Sequence, residues 1–474
     1  MTQATRRAGV MEAIQRRINS RALQPGEKLP SIRGFAATMQ VSPSTVVEAY
    51  DRLAADGIIY ARRGSGFYVA PLTQPFAVAK VGPQLDRSVD PFWVSRQSLD
   101  AGADTLKPGC GWLPAEWMPH TQMRQALRSL GRAEEGLLTD YGSTQGAMNL
   151  RRLLARQMMD EGLNLGPDQI LLTPSGTQAI DLICRFLLRP GDTVLVDDPC
   201  YFNFQALLRA HQVHMIAVPY GKNGPETDHF EQALIQHKPS LYITNSALHN
   251  PTGASLSPQV AHKILTLATA HDMVIIEDDI FAAFEPTPSP RLATLDGLQQ
   301  VIRVGSFSKT LSASVRCGYI AARPDWIEAL VDLQVATNFG GPSPVASELI
   351  YSVLSSGSYR KHIETLRDRL ATLRSDTAGR LSELGIIPWL MPRGGFYLWC
   401  KLPDGVDSAD LARAALADNM VLAPGNVFSV PQTMTHFMRF NVSQMQNPQI
   451  FELLEQALAE VPTCKGTGKG SGKG

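Results

Sequence analysis

Apolar residues recur at helical spacing through the first sixty positions and then gather into short runs. Val10, Ile14, Ile18 and Leu23 lie four to five apart, which predicts an amphipathic helix over residues 6–20. Gln24-Pro25-Gly26 breaks it. Ser31 is placed to cap a second helix, with Ile32, Phe35, Ala36 and Met39 on one face. After Gln40-Val41, Ser42 caps a third helix whose first position is Pro43, where a missing N–H costs nothing. Its apolar face is Val46, Tyr50 and Leu53, and Gly57 ends it. Ile58-Ile59-Tyr60 and Phe67-Tyr68-Val69 then flank Arg62-Arg63-Gly64-Ser65-Gly66, a strand–turn–strand with two arginines at the tip.

Three short helices and a basic hairpin follow the winged helix-turn-helix plan, in which the third helix enters the major groove and the wing touches the backbone. A three-helix protein-interaction module has the same pattern. Over residues 71–104 the periodicity fades, and Pro71, Pro75, Pro83 and Pro91 mark a linker. Phe92, Trp93, Val94 and Leu99 suggest a short helix docking on the body of the chain. From residue 105 short apolar runs alternate with helical segments. Gln169-Ile170-Leu171-Leu172-Thr173 precedes a helix over residues 175–188. Thr193–Val196, Ser240–Thr244, Met273–Glu277, Val301–Val304 and Gly318–Ala321 continue the series. Continuous apolar strands separated by helices imply an α/β body with a largely parallel sheet covered on both faces. The Gly/Lys/Ser-rich residues 463–474 read as a disordered tail.

The chain has 474 residues, enough for several domains, and its 44% apolar and 19% charged content excludes a disordered or fibrous protein. The 44 basic and 44 acidic residues cancel, but unevenly. Residues 1–70 carry ten Lys and Arg against five Asp and Glu, so a basic head precedes a mildly acidic body. No apolar run approaches the ~18 residues of a membrane span, and charges stand where a signal peptide needs its apolar core. Cys110, Cys184, Cys200, Cys317, Cys400 and Cys464 are scattered, without the paired spacing of a zinc or redox motif. A cytoplasmic protein with free thiols and no bound metal is expected.

In a parallel sheet, ligands sit beyond the carboxyl ends of the strands, so the residues there carry the chemistry. Ser175-Gly176-Thr177 opens a helix and offers N–H groups and hydroxyls to a phosphate. Tyr201 follows the next strand, then Asn250 in His249-Asn250-Pro251-Thr252-Gly253, then Asp278 in Glu277-Asp278-Asp279, then Ser306-Phe307-Ser308-Lys309, with Arg316 seven residues later. Taken singly, these are turn formers, caps and surface charges. Taken in order, a phosphate cup, an aromatic, an amide, a carboxylate and a lysine are the parts that hold pyridoxal 5'-phosphate. The lysine forms the Schiff base, and the carboxylate keeps the ring nitrogen protonated.

Both halves resemble known families. PGEKLPSIRGFAATMQVSPSTVVEAYDRLAADGIIYARRGSGFYV closely resembles the winged helix-turn-helix domain of the GntR family of bacterial repressors. That resemblance implies DNA contacts from Arg33, Ser44, Thr45, Arg62, Arg63 and Gly66. Pro43 stands where relatives often carry a base-reading arginine, so fewer direct base contacts are expected. Residues ~105–460 resemble class I aminotransferases of fold-type I, with a large and a small lobe. The resemblance makes Lys309 the aldimine lysine and Asp278 the partner of the ring nitrogen. Asn250 would bond the ring hydroxyl and Tyr201 would stack on the ring. Ser175, Gly176, Thr177, Ser306 and Arg316 would hold the phosphate. Tyr141 in YGSTQGAMNLR would reach the phosphate of a neighbouring subunit, and Arg439 in MRFNVS would grip a substrate α-carboxylate. One position departs: Ile280 and Phe281 occupy the places where the family has a tyrosine on the ring hydroxyl. The loss of that donor raises the pKa of the aldimine and blunts transamination.

A GntR-type head on an aminotransferase-like body resembles the MocR subfamily of transcription regulators. That resemblance implies a head at residues 1–70, a linker at 71–104 and an effector body at 105–462. It also implies a head-to-tail homodimer on double-stranded operator DNA, sensing an amino compound or a vitamin B6 form. The alternative is an active aminotransferase with a DNA-binding head.

Overall fold

A computed structural model describes residues 3–19, 23, 26–62, 64–70, 99, 102 and 104–461. The chain divides into two compact units, Met1–Gly82 and Pro83–Gly474. The expected linker and its helix, apart from Leu99, Gly102 and Asp104, and the expected tail fall outside the described residues.

In the first unit α1 (Gln3–Asn19), α2 (Ile32–Met39) and α3 (Pro43–Ala55) precede a hairpin of β1 (Ile59–Arg62) and β2 (Gly66–Val69). The caps arise where the sequence places them. Ser31 accepts a hydrogen bond from the Gly34 N–H at 3.2 Å, and Ser42 from the Thr45 N–H at 3.3 Å, each satisfying a first-turn donor. Gln40 at φ +52° closes α2 and turns the chain toward α3. Val10, Ile14, Phe35, Val46, Tyr50, Leu53, Ile59 and Val69 form one core. Tyr50 is fully buried there, and its hydroxyl donates to the Pro30 carbonyl at 3.1 Å; burial pushes the phenol up to about 12. The hairpin is tied back to the α1–α2 connection through Leu29 N–H to the Phe67 carbonyl and Val69 N–H to the Glu27 carbonyl, both 2.9 Å.

The second unit is built on an eight-stranded sheet in the order β3-β10-β9-β8-β7-β4-β5-β6. Its strands are β3 (Ile170–Thr173), β4 (Thr193–Asp198), β5 (His214–Gly221), β6 (Gly224–Pro225), β7 (Leu241–Thr244), β8 (Val274–Asp278), β9 (Val301–Ser306) and β10 (Gly318–Ala321). The pairs β9-β8-β7-β4-β5 are parallel, whereas β10 runs antiparallel to both β3 and β9. Period-two alternation sends Leu195, Tyr242, Ile275 and Val301 into one apolar layer and Val194, Val196, Ile243, Ile276 and Ile302 into the other. Both faces are therefore covered, which is why these strands are continuously apolar.

A second, four-stranded antiparallel sheet has the order β11-β12-β14-β13, from β11 (Ile387–Pro388), β12 (Tyr397–Lys401), β13 (Ala423–Pro424) and β14 (Phe437–Asn441). The helix Gly357–Glu383 and the helices Ser408–Ala417 and Gln449–Glu460 contribute to its apolar core. The start of the body is stitched to this lobe: Leu106 N–H donates to the Asn419 carbonyl, Gly109 N–H to Val421, and Asn441 N–H to Pro108, at 2.7–3.0 Å. Gly109 is required by this threading, since a Cβ there would lie 2.4 Å from the Leu422 backbone. No described helix is long and apolar enough to cross a membrane.

Candidate functional site

The carboxyl ends of β3, β4, β7, β8 and β9 converge, and the small lobe adds residues from β12 and β14. After β3, Ser175 caps α4 (Gly176–Leu187), accepting from the Gln178 N–H at 3.1 Å. The first turn of this helix lies close to the β9–β10 pair. A Cβ on Gly318 would stand 2.7 Å from the Gly176 nitrogen, so only glycine fits. Ser306, at the end of β9 and paired with Gly318, shares a 2.6 Å hydrogen bond with Ser308. The first turn of α4, its dipole and these hydroxyls gather donors of the kind a phosphate takes. Thr177 and Arg316 lie near the same chain segments, Arg316 at φ +55°.

After β4, Tyr201 packs edgewise against Phe204 and tilted against Phe202. After β7, the turn at His249–Gly253 is held by a 2.6 Å bond from the Gly253 N–H to the His249 carbonyl. The His249 ring stacks on Tyr220 at 3.8 Å and bonds Thr252 at 2.8 Å. This fixes Asn250, which is buried and whose amide oxygen accepts from Arg439 Nη1 at 2.8 Å.

The three acids at the end of β8 have three separate fates. Glu277 accepts from the Leu292 and Ala293 N–H groups at 2.7 and 2.9 Å, capping a short helix. Asp279 turns into the sheet's packing layer, 2.7 Å from Arg291 and 2.6 Å from Arg303. Asp278 points into the site and accepts from the Ile280 N–H at 3.3 Å. Burial is the main cause that pushes its carboxyl up to about 7, and Lys309 pulls the other way. The Lys309 amine donates to the Gly111 carbonyl at 2.5 Å and is pushed down to about 8, first by burial and then by the Arg439 charge.

Arg439 is 1% exposed on β14. Its Nη2 donates to the Gly109 carbonyl at 2.8 Å, and its guanidinium carbon lies 4.2 Å from the Tyr397 ring centroid. Its Nε is buried with no hydrogen-bond partner among the described residues. The structure thus brings together Ser175, Gly176 and Ser306 at one end, and Asn250, Asp278, Lys309 and Arg439 at the other. Tyr141 stands apart from these contacts, 83% exposed with its ring edge on Phe339 at 5.1 Å.

Residues that carry no motif of their own also build the site. Gly109, Gly111 and Tyr397 touch Arg439 or Lys309, and Asn441 holds the Cys110 and Trp112 carbonyls at 3.0 and 2.8 Å. The one signal for them in the sequence is alternation. Tyr397 and Trp399, like Arg439 and Asn441, are two apart on strands, and so share a face with the arginine already singled out.

In the first unit Arg33 and Ser44 are exposed, and Gly66 sits at the hairpin tip at φ +109°. The Arg62 guanidinium lies 5.2 Å from the Tyr68 ring centroid. Arg63 lies outside the described residues. Thr45 requires a correction. It is 3% exposed, with its hydroxyl 2.8 Å from Ser42 Oγ, so its side chain braces the cap of α3 rather than standing exposed beside Ser44.

Residues 6–69 match the bacterial regulatory proteins of the gntR family, and residues 114–456 match aminotransferase class I and II. The second match spans well over half of the chain. The protein belongs to the MocR subfamily, a gntR-type head on a class I aminotransferase body. Its relatives carry regulator names. One is the uncharacterized HTH-type transcriptional regulator YdcR of Escherichia coli K12, 30% identical over 91% of this chain and 94% of that protein. Another is the HTH-type transcriptional regulator NorG of Staphylococcus aureus USA300, 28% identical over 85% and 92%. Among solved structures, the MocR body resembles kynurenine aminotransferase of Pyrococcus horikoshii, in complex with PMP, at a TM-score of 0.69 and 25% identity. That match covers 76% of this chain and 90% of that one. The fold is also shared with LysN, the α-aminoadipate aminotransferase of Thermus thermophilus complexed with N-(5'-phosphopyridoxyl)-L-leucine, at a TM-score of 0.71 and 24% identity over 77% and 94%.

Proposed function

We propose that this MocR protein is a cytoplasmic, DNA-binding transcription regulator whose body binds pyridoxal 5'-phosphate and responds to an amino compound or a vitamin B6 form. One observation carries the reading: Lys309, Asp278, Asn250 and Arg439 converge, with a buried, unpartnered guanidinium nitrogen among them. The donor set suits the cofactor. Ser175, Gly176, Thr177, Ser306 and Arg316 would hold the phosphate, Tyr201 would cover the ring, Asp278 would pair with the ring nitrogen, and Asn250 would face the ring hydroxyl.

When bound, the cofactor supplies an aldehyde that condenses with an amine and a cationic ring that withdraws electrons. This chain's residues prepare for both. At pH 7.5 an amine of pKa about 8 is neutral in about a quarter of molecules, against roughly one in a thousand for an ordinary lysine. Lys309 is therefore a competent nucleophile without a separate base. A protonated ring nitrogen would give the buried Asp278 a cationic partner and so favour its charged form. Arg439, held flat by Tyr397 and braced by Asn250 and Gly109, presents its edge to a carboxylate.

Tyr141 would reach the site only from a second copy, so a homodimer is part of this reading. The first unit, with Arg33, Ser44, Arg62, Arg63 and Gly66, would supply the DNA contacts. The test is visible absorbance of the protein mixed with pyridoxal phosphate. Wild type is expected to turn yellow and Lys309→Ala to lose the covalent band. An unchanged band in Lys309→Ala removes that residue from its role. The retained lysine, carboxylate and arginine also favour a second reading, a working aminotransferase. Steady multiple-turnover release of keto acid, with no amine altering operator binding, would replace the regulator with the enzyme.

A further inference from the structure

Ile280 and Phe281, the second and third residues after Asp278, stand in the places where aminotransferases carry a tyrosine, and Phe281 brings a ring without the hydroxyl. The ring is 4% exposed and meets the Tyr397 ring edge-on, with centroids 5.5 Å apart. The hydroxyl missing from one ring is thus present on its neighbour. Tyr397 lies on β12 opposite Asn441, and Trp399 lies opposite Arg439, so all four project from the same face of the small sheet.

Gly111 locates the Tyr397 hydroxyl. A Cβ built there would stand 3.2 Å from Tyr397 Oη and 3.8 Å from Lys309 Nζ, so the phenol and the amine flank the same gap. Tyr397 is 5% exposed, and its ring is packed against Phe281, Phe396 and the Arg439 guanidinium. A phenol O–H on the same gap as the reactive lysine is a donor within reach of whatever that lysine holds.

We propose that Tyr397 is a cofactor-binding residue, supplying to the junction between Lys309 and pyridoxal phosphate the hydrogen bond that Phe281 cannot make. The proposal rests on the cofactor reading above. A donor at that junction favours its deprotonated form and so sets the pH at which the junction gives up its proton. The other charged or titratable groups facing it are Asp278 at the end of β8, Arg439 on β14, Cys110 beside Gly111 and Tyr201 after β4. None of these changes when Tyr397 is replaced by phenylalanine, which also keeps the ring contacts with Phe281 and Arg439.

The experiment is a pH titration of the visible spectrum of the full-length protein loaded with pyridoxal phosphate. Wild type, Tyr397→Phe and the double variant Tyr397→Phe/Phe281→Tyr are compared. Tyr397→Phe should raise the midpoint by about one pH unit, tenfold in proton affinity, the scale of one hydrogen bond to a charged group. The double variant, which moves the hydroxyl to the touching ring, should lower the midpoint again. Equal midpoints in wild type and Tyr397→Phe overturn the role of Tyr397 while the cofactor reading stands. A wild type with no Lys309-dependent visible band overturns the cofactor reading, and this proposal with it.

Discussion

Asp278 and Asp279 are adjacent in sequence, yet amidation of each should move stability in opposite directions. Asp279 is fully enclosed between Arg291 and Arg303, whose side chains are 7% and 3% exposed, at 2.7 and 2.6 Å. Asp279→Asn removes one of two carboxylates from each guanidinium, since Arg291 keeps Glu285 at 2.8 Å and Arg303 keeps Glu161 at 2.6 Å. Breaking a buried pair from one side costs about 3–5 kcal/mol when the remaining charge has no other partner, so the loss here should be below that. Asp278, by contrast, is a buried carboxyl whose pKa rises from 3.8 to about 7, mainly through desolvation. Between those values the folded state holds a proton that the unfolded chain has released. Stability is therefore lost as pH rises from about 4 to about 7 and stays lost above it. The shift corresponds to roughly 4 kcal/mol, at about 1.4 kcal/mol per unit. At pH 8 without cofactor, Asp278→Asn should be more stable than wild type, by up to about 4 kcal/mol, and should lack that part of the pH dependence. The assay is urea unfolding of the apo protein at pH 5 and pH 8, followed through the body's tryptophans, Trp112, Trp117, Trp326, Trp389 and Trp399. Cofactor absorbance should follow the reverse order, weakened in Asp278→Asn and retained in folded Asp279→Asn. If Asp278→Asn is the less stable variant at pH 8, or if both lose the cofactor alike, the division of roles between the two acids is wrong.

Arg62→Ala should weaken binding to every duplex and flatten the log–log salt dependence by about 0.9, one phosphate contact, as measured by fluorescence anisotropy across a salt series. Gly318→Ala places a methyl 2.7 Å from the Gly176 nitrogen and should weaken pyridoxal phosphate binding at least about tenfold while leaving DNA affinity of the head intact; a titration of the visible band checks this. An amino acid that shifts the spectrum should change operator affinity by roughly 5–150-fold in wild type, the usual range of coupling between sites, and by much less in Arg439→Ala. An unchanged operator affinity at saturating ligand would show that the body does not sense that ligand.

Much of this protein is written in near-neighbour chemistry and is legible without coordinates. Ser31 and Ser42 cap helices because a hydroxyl three residues from an N–H needs no distant partner. The strands Ile170–Thr173, Leu241–Thr244 and Val301–Ser306 announce themselves because both faces are buried, and the residues after them carry the chemistry because parallel strands end together. Other features depend on contacts between residues far apart in the chain. An apolar run reads the same in either direction, so the antiparallel course of Gly318–Ala321 appears only when it is paired with Ile170–Thr173 and Val301–Ser306. Thr45 is polar and next to an exposed serine, yet its position on the helix turns it inward. Asp278 and Asp279 are the same residue type, and only the two arginines beside one of them tell them apart. The small sheet and its face of Tyr397, Trp399, Arg439 and Asn441 depend on register. Gly109 meets Arg439 across 330 positions, and Gly111 meets Lys309 across 198. Local period and capping decide which elements form and which side chains stand at their ends; which of those side chains meet is decided by packing, because the contacts that orient them come from parts of the chain with no local relation to one another.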